Sequence, residues 1–189
     1  VCNMSKLEKQ ARGKTDSREA NANGERFHMD YGFFRGPKHL SWKIKRKYGD
    51  MTIASLKHKP ILESREGYAA YLLIIDGYSR KAWVYPTKTK DPPIETVDLF
   101  LQRFGLRDGT QRYVRTDQGG ELAKSSAFRA VVAKHGYVVE PTGPDASSQN
   151  GRGERPHRTL ANMVRCMLYG ADLGAEFWAD AIVYAAYLY

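Results

Sequence analysis

Residues 68–86, YAAYLLIIDGYSRKAWVYP, carry two apolar runs on either side of Asp76-Gly77. An Asp-Gly pair accepts the positive φ of a tight hairpin turn, so the stretch is predicted to form an antiparallel hairpin, with Pro86 stopping its second strand. The rest of the chain supplies partners for it. RFHMDYGFF (26–34) reads as an earlier strand, RYVRTD (112–117) as a short strand ending in Asp117, and YVVEP (137–141) as another.

Helical spacing separates these strands. In PPIETVDLFLQRFG, Val97, Phe100, Leu101 and Phe104 fall at i, i+3, i+4 and i+7, with proline at the entrance and Gly105 at the exit. SSAFRAVVAKHG repeats the pattern with Phe128, Val131, Val132 and His135, a serine cap and Gly136. His135 there reads as a last-turn residue favoured by the helix dipole. A polar loop, TGPDASSQNG, leads into a third helix running to Gly170, with Leu160, Met163, Val164, Met167 and Leu168 as its core stripe. Cys166 on that helix is expected to be a buried thiol. GAEFWADAIVYAAYLY is a fourth helix; it stops in aromatics, as expected of a segment cut from a longer polypeptide. Antiparallel strands first and alternating β/α later give an α/β fold, a mixed sheet flanked by helices.

Composition narrows the function classes. The 189 residues suffice for one domain with a buried core, and 42% hydrophobic content is too high for disorder throughout. No run of eighteen apolar residues is present, so no membrane helix and no membrane partner are expected. Two cysteines, Cys2 and Cys166, exclude a disulfide framework and make a reducing setting the default. The net charge of +9 speaks to partners rather than to fold. Its densest part, residues 35–59, holds Arg35, Lys38, Lys43, Lys45, Arg46, Lys47, Lys57 and Lys59 against one acid, Asp50, with Trp42 and Tyr48 interleaved. Bases attract a polyanion and aromatic faces stack on nucleobases, although a solvated basic loop explains this segment equally well. MTIASL (51–56) could form a strand within it.

Three acids stand out by position. Asp30 lies on the first strand, Asp117 ends a later strand before Gly119-Gly120, and Glu154 lies in the first turns of a helix. Ligand sites in α/β sheets gather at strand carboxyl ends and helix N-termini. If the first and fourth strands are neighbours, Asp30 and Asp117 approach each other, and the helix after the last strand can bring Glu154 to them. Two like charges 4 Å apart cost about 4 kcal/mol at an effective dielectric near 20, so such a cluster needs cations. Oxygen ligands select hard ions, and a Mg²⁺ pair suits in-line phosphoryl displacement. Taken singly, each acid also has a plain structural reading: a strand-end residue, a turn former, a helix-dipole partner.

Four ordered motifs carry a resemblance. His28-Met29-Asp30, the Asp76–Arg80 hairpin, TDQGGEL (116–122) and QNGRGERPHRTL (149–160) resemble the integrase catalytic core of copia-type LTR retrotransposons, a member of the retroviral integrase superfamily. The gap of 37 positions from Asp117 to Glu154 is close to that family's spacing. The resemblance implies an RNase H-like fold, a mixed five-stranded sheet with helices on both faces, over residues 25–189. It implies 3′-end processing and strand transfer by a Mg²⁺-dependent (or Mn²⁺-dependent) polynucleotidyl transferase, with Asp30, Asp117 and Glu154 as catalytic residues and ligands of two ions. Element ends and target DNA become the partners of a homo-multimer, which would work in the nucleus after a cytoplasmic particle stage. Gln149 and Asn150, on the loop approaching substrate, and Arg155, Arg158, Lys43, Lys45, Arg46 and Lys47 are the expected DNA contacts.

Residues 1–24 are expected to be a linker; VCNMSKLEKQARGK resembles the stretch after the final cysteines of the family's zinc module. Cys2 alone cannot complete a four-ligand site, so no zinc is expected in this stretch. Pro156-His157 departs from the family's residue-Asn pair. A proline there is harmless only in the first helical turn, so a helix starting earlier would bend near Glu154. A non-catalytic nucleic-acid-binding remnant and a nuclease of the same fold are the competing expectations.

Overall fold

The structure, a computed structural model, describes residues 20–35, 61–105, 109–117, 120–142 and 147–189; the side chains of 141, 142 and 147–154 fall outside that description. Five strands form one sheet in the order β3-β2-β1-β4-β5: β1 (Arg26–Gly32), β2 (Ala70–Asp76), β3 (Ala82–Thr87), β4 (Arg112–Asp117) and β5 (Tyr137–Thr142). β1, β2 and β3 pair antiparallel, whereas β4 joins β1 and β5 joins β4 in parallel. The helices are α1 (Ile94–Gln102), α2 (Glu121–Lys124), α3 (Ser126–Lys134), α4 (Ser147–Gly170) and α5 (Trp178–Leu188), the last entered through one 3₁₀ turn, Ala175–Phe177. The mixed sheet with helices on both faces is the expected architecture. No described helix is long and apolar enough to cross a membrane.

β2 explains the layering. Every residue of AYLLIID is buried, because both faces of this strand are covered. Tyr71, Leu73 and Ile75 point into one core with Leu160 and Val164 of α4 and Trp178, Ile182 and Ala185 of α5. Leu72 and Ile74 point into the other with Phe27, Met29 and Val114 of the sheet, Val97, Phe100 and Leu101 of α1, and Phe128 and Val132 of α3. Each large apolar side chain so withdrawn from water contributes about 1.5–3 kcal/mol. Phe27 adds edge-to-face contacts with Phe100 at 5.0 Å and Phe104 at 4.7 Å.

A buried cation ties the second core together. Arg112, at the start of β4, is 2% exposed and reaches no carboxylate by any bond described. It donates to the Gly105 carbonyl at 2.7 Å, to the Tyr137 hydroxyl at 3.1 Å and to the His135 carbonyl, and lies over the Tyr137 ring at 4.1 Å. Those two carbonyls stand just past α1 and α3, at the negative ends of both helix dipoles, which is what makes burial of the charge tolerable.

Four local expectations are corrected. The β2–β3 turn spans Gly77–Lys81, and its positive φ falls on Arg80 (65°), not on Gly77. Asp76, 1% exposed, organises it: one carboxylate oxygen accepts from the Ser79 amide and hydroxyl, both at 2.7 Å, and the other accepts from the Gly24 amide at 2.8 Å. Gly77 is needed for closeness instead, since a Cβ there would lie 3.1 Å from the Arg26 carbonyl oxygen, to which its amide donates at 2.7 Å. Pro86 does not stop β3 but pairs with Tyr71 inside it. β3 is an edge strand, and one of its sides has no ladder for a proline to break. Helix α4 begins at Ser147, so Gln149, Asn150 and Gly151 are helical rather than loop, and Pro156 sits in its interior. Cys166 is exposed, because it lies off the stripe that packs Leu160 and Val164. MTIASL falls outside the described residues.

Candidate active site

The parallel pairing of β1 and β4 places the first two acids. Met29 is in register with Thr116, so Asp30 and Asp117 come next on strands about 4.8 Å apart. Met29 points into the second core, so Asp30 projects from the opposite face, the one covered by α4. Asp30 and Asp117 are both exposed. Both Asp30 oxygens have a near neighbour. Its Oδ1 accepts from the Tyr31 amide at 2.8 Å, and its Oδ2 lies 3.4 Å from Nε2 of His157 on α4. His157 Nδ1 in turn stands 3.0 Å from the Tyr71 hydroxyl. Glu154 is three residues before His157 on α4, one turn away along the same helix, and its side chain is outside the described residues. Among the described residues no group of three His, Cys, Asp or Glu side chains is placed to hold a metal ion.

Burial and the charge of Asp30 push the Tyr71 phenol far above its ordinary range, with burial the larger cause. Tyr71 is therefore a neutral phenol beside His157. Two exposed carboxylates on neighbouring strands are hard oxygen donors, the chemistry that suits a Mg²⁺ or Mn²⁺ ion.

Comparison with known proteins then bears on identity. No protein-family model matches the chain. The retrovirus-related Pol polyprotein from transposon TNT 1-94 of Nicotiana tabacum is 37% identical over 128 residues, 67% of this chain and 10% of that polyprotein. The corresponding polyprotein from transposon RE2 of Arabidopsis thaliana is 32% identical over 133 residues, 68% of this chain and 9% of its own length. The chain belongs with the Pol polyproteins of copia-type plant transposons. The chain spans about a tenth of their length. In fold it matches the simian T-cell lymphotropic virus intasome in complex with the PP2A regulatory subunit B56 gamma, with a TM-score of 0.60 and 13% identity over 90% of this chain and 49% of that one. It also matches the HTLV-2 integrase catalytic core domain in complex with magnesium (trimeric form), with a TM-score of 0.51 and 16% identity over 87% and 83% of the two chains. The sheet is thus that of an integrase catalytic core.

Within this retrotransposon Pol homologue the other expected contacts divide. Arg155 and Arg158 are exposed on α4. Gln149 and Asn150 belong to the first turn of α4, which moves them from the expected loop onto the helix itself. Lys43, Lys45, Arg46 and Lys47 lie outside the described residues. Beyond Asp30, Phe33 has Arg35 at 4.9 Å and Lys90 at 5.0 Å from its ring centre, and Lys90 is 3.9 Å from Glu121. Tyr71 and His157 escaped the sequence reading as site residues. The proline-histidine departure drew the eye to position 157, but nothing in the spacing pairs it with Tyr71. A second signal was Gly32: a Cβ there would overlap the Tyr71 phenol, which crosses β1 to reach His157.

Proposed function

We propose that this chain is the catalytic core of a retrotransposon integrase, a polynucleotidyl transferase that processes the 3′ ends of element DNA and joins them to target DNA. The observation that carries this reading is the adjacency of Asp30 and Asp117 on parallel strands, with the helix of Glu154 touching Asp30 through His157. In this reading Asp30, Asp117 and Glu154 would hold two Mg²⁺ (or Mn²⁺) ions, which when bound would supply activation of the attacking oxygen and stabilisation of the leaving one. Arg155, Arg158 and the basic residues 43–47 hold the phosphate backbone, and the chain acts as a multimer on chromosomal DNA in the nucleus. The magnesium complex and trimeric form of the HTLV-2 core, and the intasome assembly of the simian virus protein, support the metal and the multimer by analogy.

Strand joining by the full-length integrase on short element-end duplexes tests this. Asp117→Asn should abolish joining while leaving DNA affinity at low salt within threefold; joining that survives the substitution rejects the reading. One observation favours a second reading, a DNA-binding remnant without turnover: Pro156 interrupts the α4 ladder two residues past Glu154. That reading expects salt-sensitive DNA binding from the unaltered protein and no joining at any Mg²⁺ concentration.

A further inference from the structure

α4 carries its own difficulty. Pro156 has no amide hydrogen, so the carbonyl four residues earlier receives no ladder bond, just where the helix passes the sheet. The ladder of α4 is therefore one bond short beside β1. At that level, beside the buried Pro156 ring, His157 joins the helix to the sheet. His157 is 18% exposed and sits between two strands' worth of partners, Tyr71 on β2 and Asp30 on β1. Tyr71 is 3% exposed and can reach His157 only because Gly32 leaves its ring a path across β1.

Chemistry sets the direction of the bonds. A ring nitrogen that faces a carboxylate does so with its hydrogen, and in that tautomer, with the hydrogen on Nε2, the Tyr71 hydroxyl is the donor to His157 Nδ1. Nε2 is shut off from water, and the group it faces is the Asp30 carboxylate, 3.4 Å away and just beyond the length of a formed hydrogen bond. The other Asp30 oxygen is already taken by the Tyr31 amide. The carboxylate is thus steered from both sides, while half of the side chain stays open to solvent at 51% exposure.

We propose that Tyr71 and His157 form a positioning relay that fixes the rotamer of Asp30, and the level of α4 beside it, for divalent-cation binding. The proposal rests on the reading of Asp30 as a metal ligand. His157 is here a positioning residue: it supplies orientation to a carboxylate, as hydrogen-bonded groups behind metal ligands commonly do, where their loss costs 10–100-fold in metal affinity. Gly32 belongs to the same device as the gap that lets Tyr71 through.

Mn²⁺ affinity of the full chain, followed by titration calorimetry, is the test, with thermal unfolding of each variant measured alongside. His157→Ala should weaken Mn²⁺ binding about tenfold or more. His157→Gln, which returns an amide donor of similar reach, should recover most of that loss, and Tyr71→Phe should show a smaller loss in the same direction. Leu160→Ala, one turn further along α4 and wholly buried, should lower the melting temperature and leave Mn²⁺ affinity unchanged, which a purely structural role for His157 would equally predict of His157→Ala. Wild-type affinity in His157→Ala, with Asp117→Asn weakened, overturns the relay and leaves the metal-site reading standing. Equal affinity in wild type and Asp117→Asn, or no binding in either, removes the metal site and the relay together. A metal-free measurement stands beside these: long-range ¹H–¹⁵N spectra should show His157 protonated on Nε2 at neutral pH, and a hydrogen on Nδ1 would overturn the proposal.

Discussion

Asp98 on α1 is gripped by two bases at the end of α3, with His135 Nε2 at 2.6 Å and Lys134 Nζ at 3.0 Å from the same oxygen. Those bonds, His135 first and then Lys134, hold its carboxyl below the ordinary value of 3.8. A depressed acid stabilises the native state above its ordinary value and loses that contribution as pH falls through the folded one. Asp98→Asn should therefore flatten the acid limb of the stability curve below 3.8 and leave its shape near neutrality alone, as urea unfolding at stepped pH would record. His135 was read as a residue serving the helix dipole; its contact with Asp98, 37 positions away, has no local signature. The same limit hid the Tyr71–His157 bond, which joins residues 86 positions apart. Asp30, Asp117 and Glu154 stood out as candidates because their neighbours in the chain form motifs. The side chains that orient Asp30 did not, because they come from a different strand and a different helix.

At the scale of elements, α1 and α3 were legible almost to their ends. Their apolar positions recur at helical spacing, and Ser125 caps α3 by accepting from the Phe128 amide at 3.2 Å. Ser125→Ala should cost about 1 kcal/mol in chemical denaturation, and no change would show that the cap contributes nothing. The start of α4 was not legible. Gly151 and Gly153 each disfavour a helix by about 1 kcal/mol relative to alanine, so the residues before Glu154 read as loop, although the helix begins at Ser147. Pro156→Ala restores the missing donor and should raise stability by about 1–3 kcal/mol. A loss instead would mean that packing of the buried proline ring outweighs the ladder bond. Arg112 belongs to this scale too, since it links the ends of α1 and α3 to β4. Arg112→Met strands two helix-end carbonyls and should cost about 2–4 kcal/mol, read from the same denaturation curves.

Over the whole molecule, the order of strands and helices along the chain was enough to foresee a mixed sheet with both faces covered, and the parallel placement of β4 beside β1 is what brings two distant acids together. The net charge of +9 sets the expected response to salt. Replacing Lys43, Lys45, Arg46 and Lys47 with alanine should reduce the slope of log affinity for duplex DNA against log salt by about 3–4, and an unaltered slope would remove that segment from the interface. The central claim is that three carboxylates from distant parts of the chain act as one cation site. Mn²⁺ titration of Asp30→Asn, Asp117→Asn and Glu154→Gln beside the unaltered protein measures it most directly. Each substitution should weaken binding at least tenfold; unchanged affinity in Glu154→Gln would show that the three acids do not share a cation.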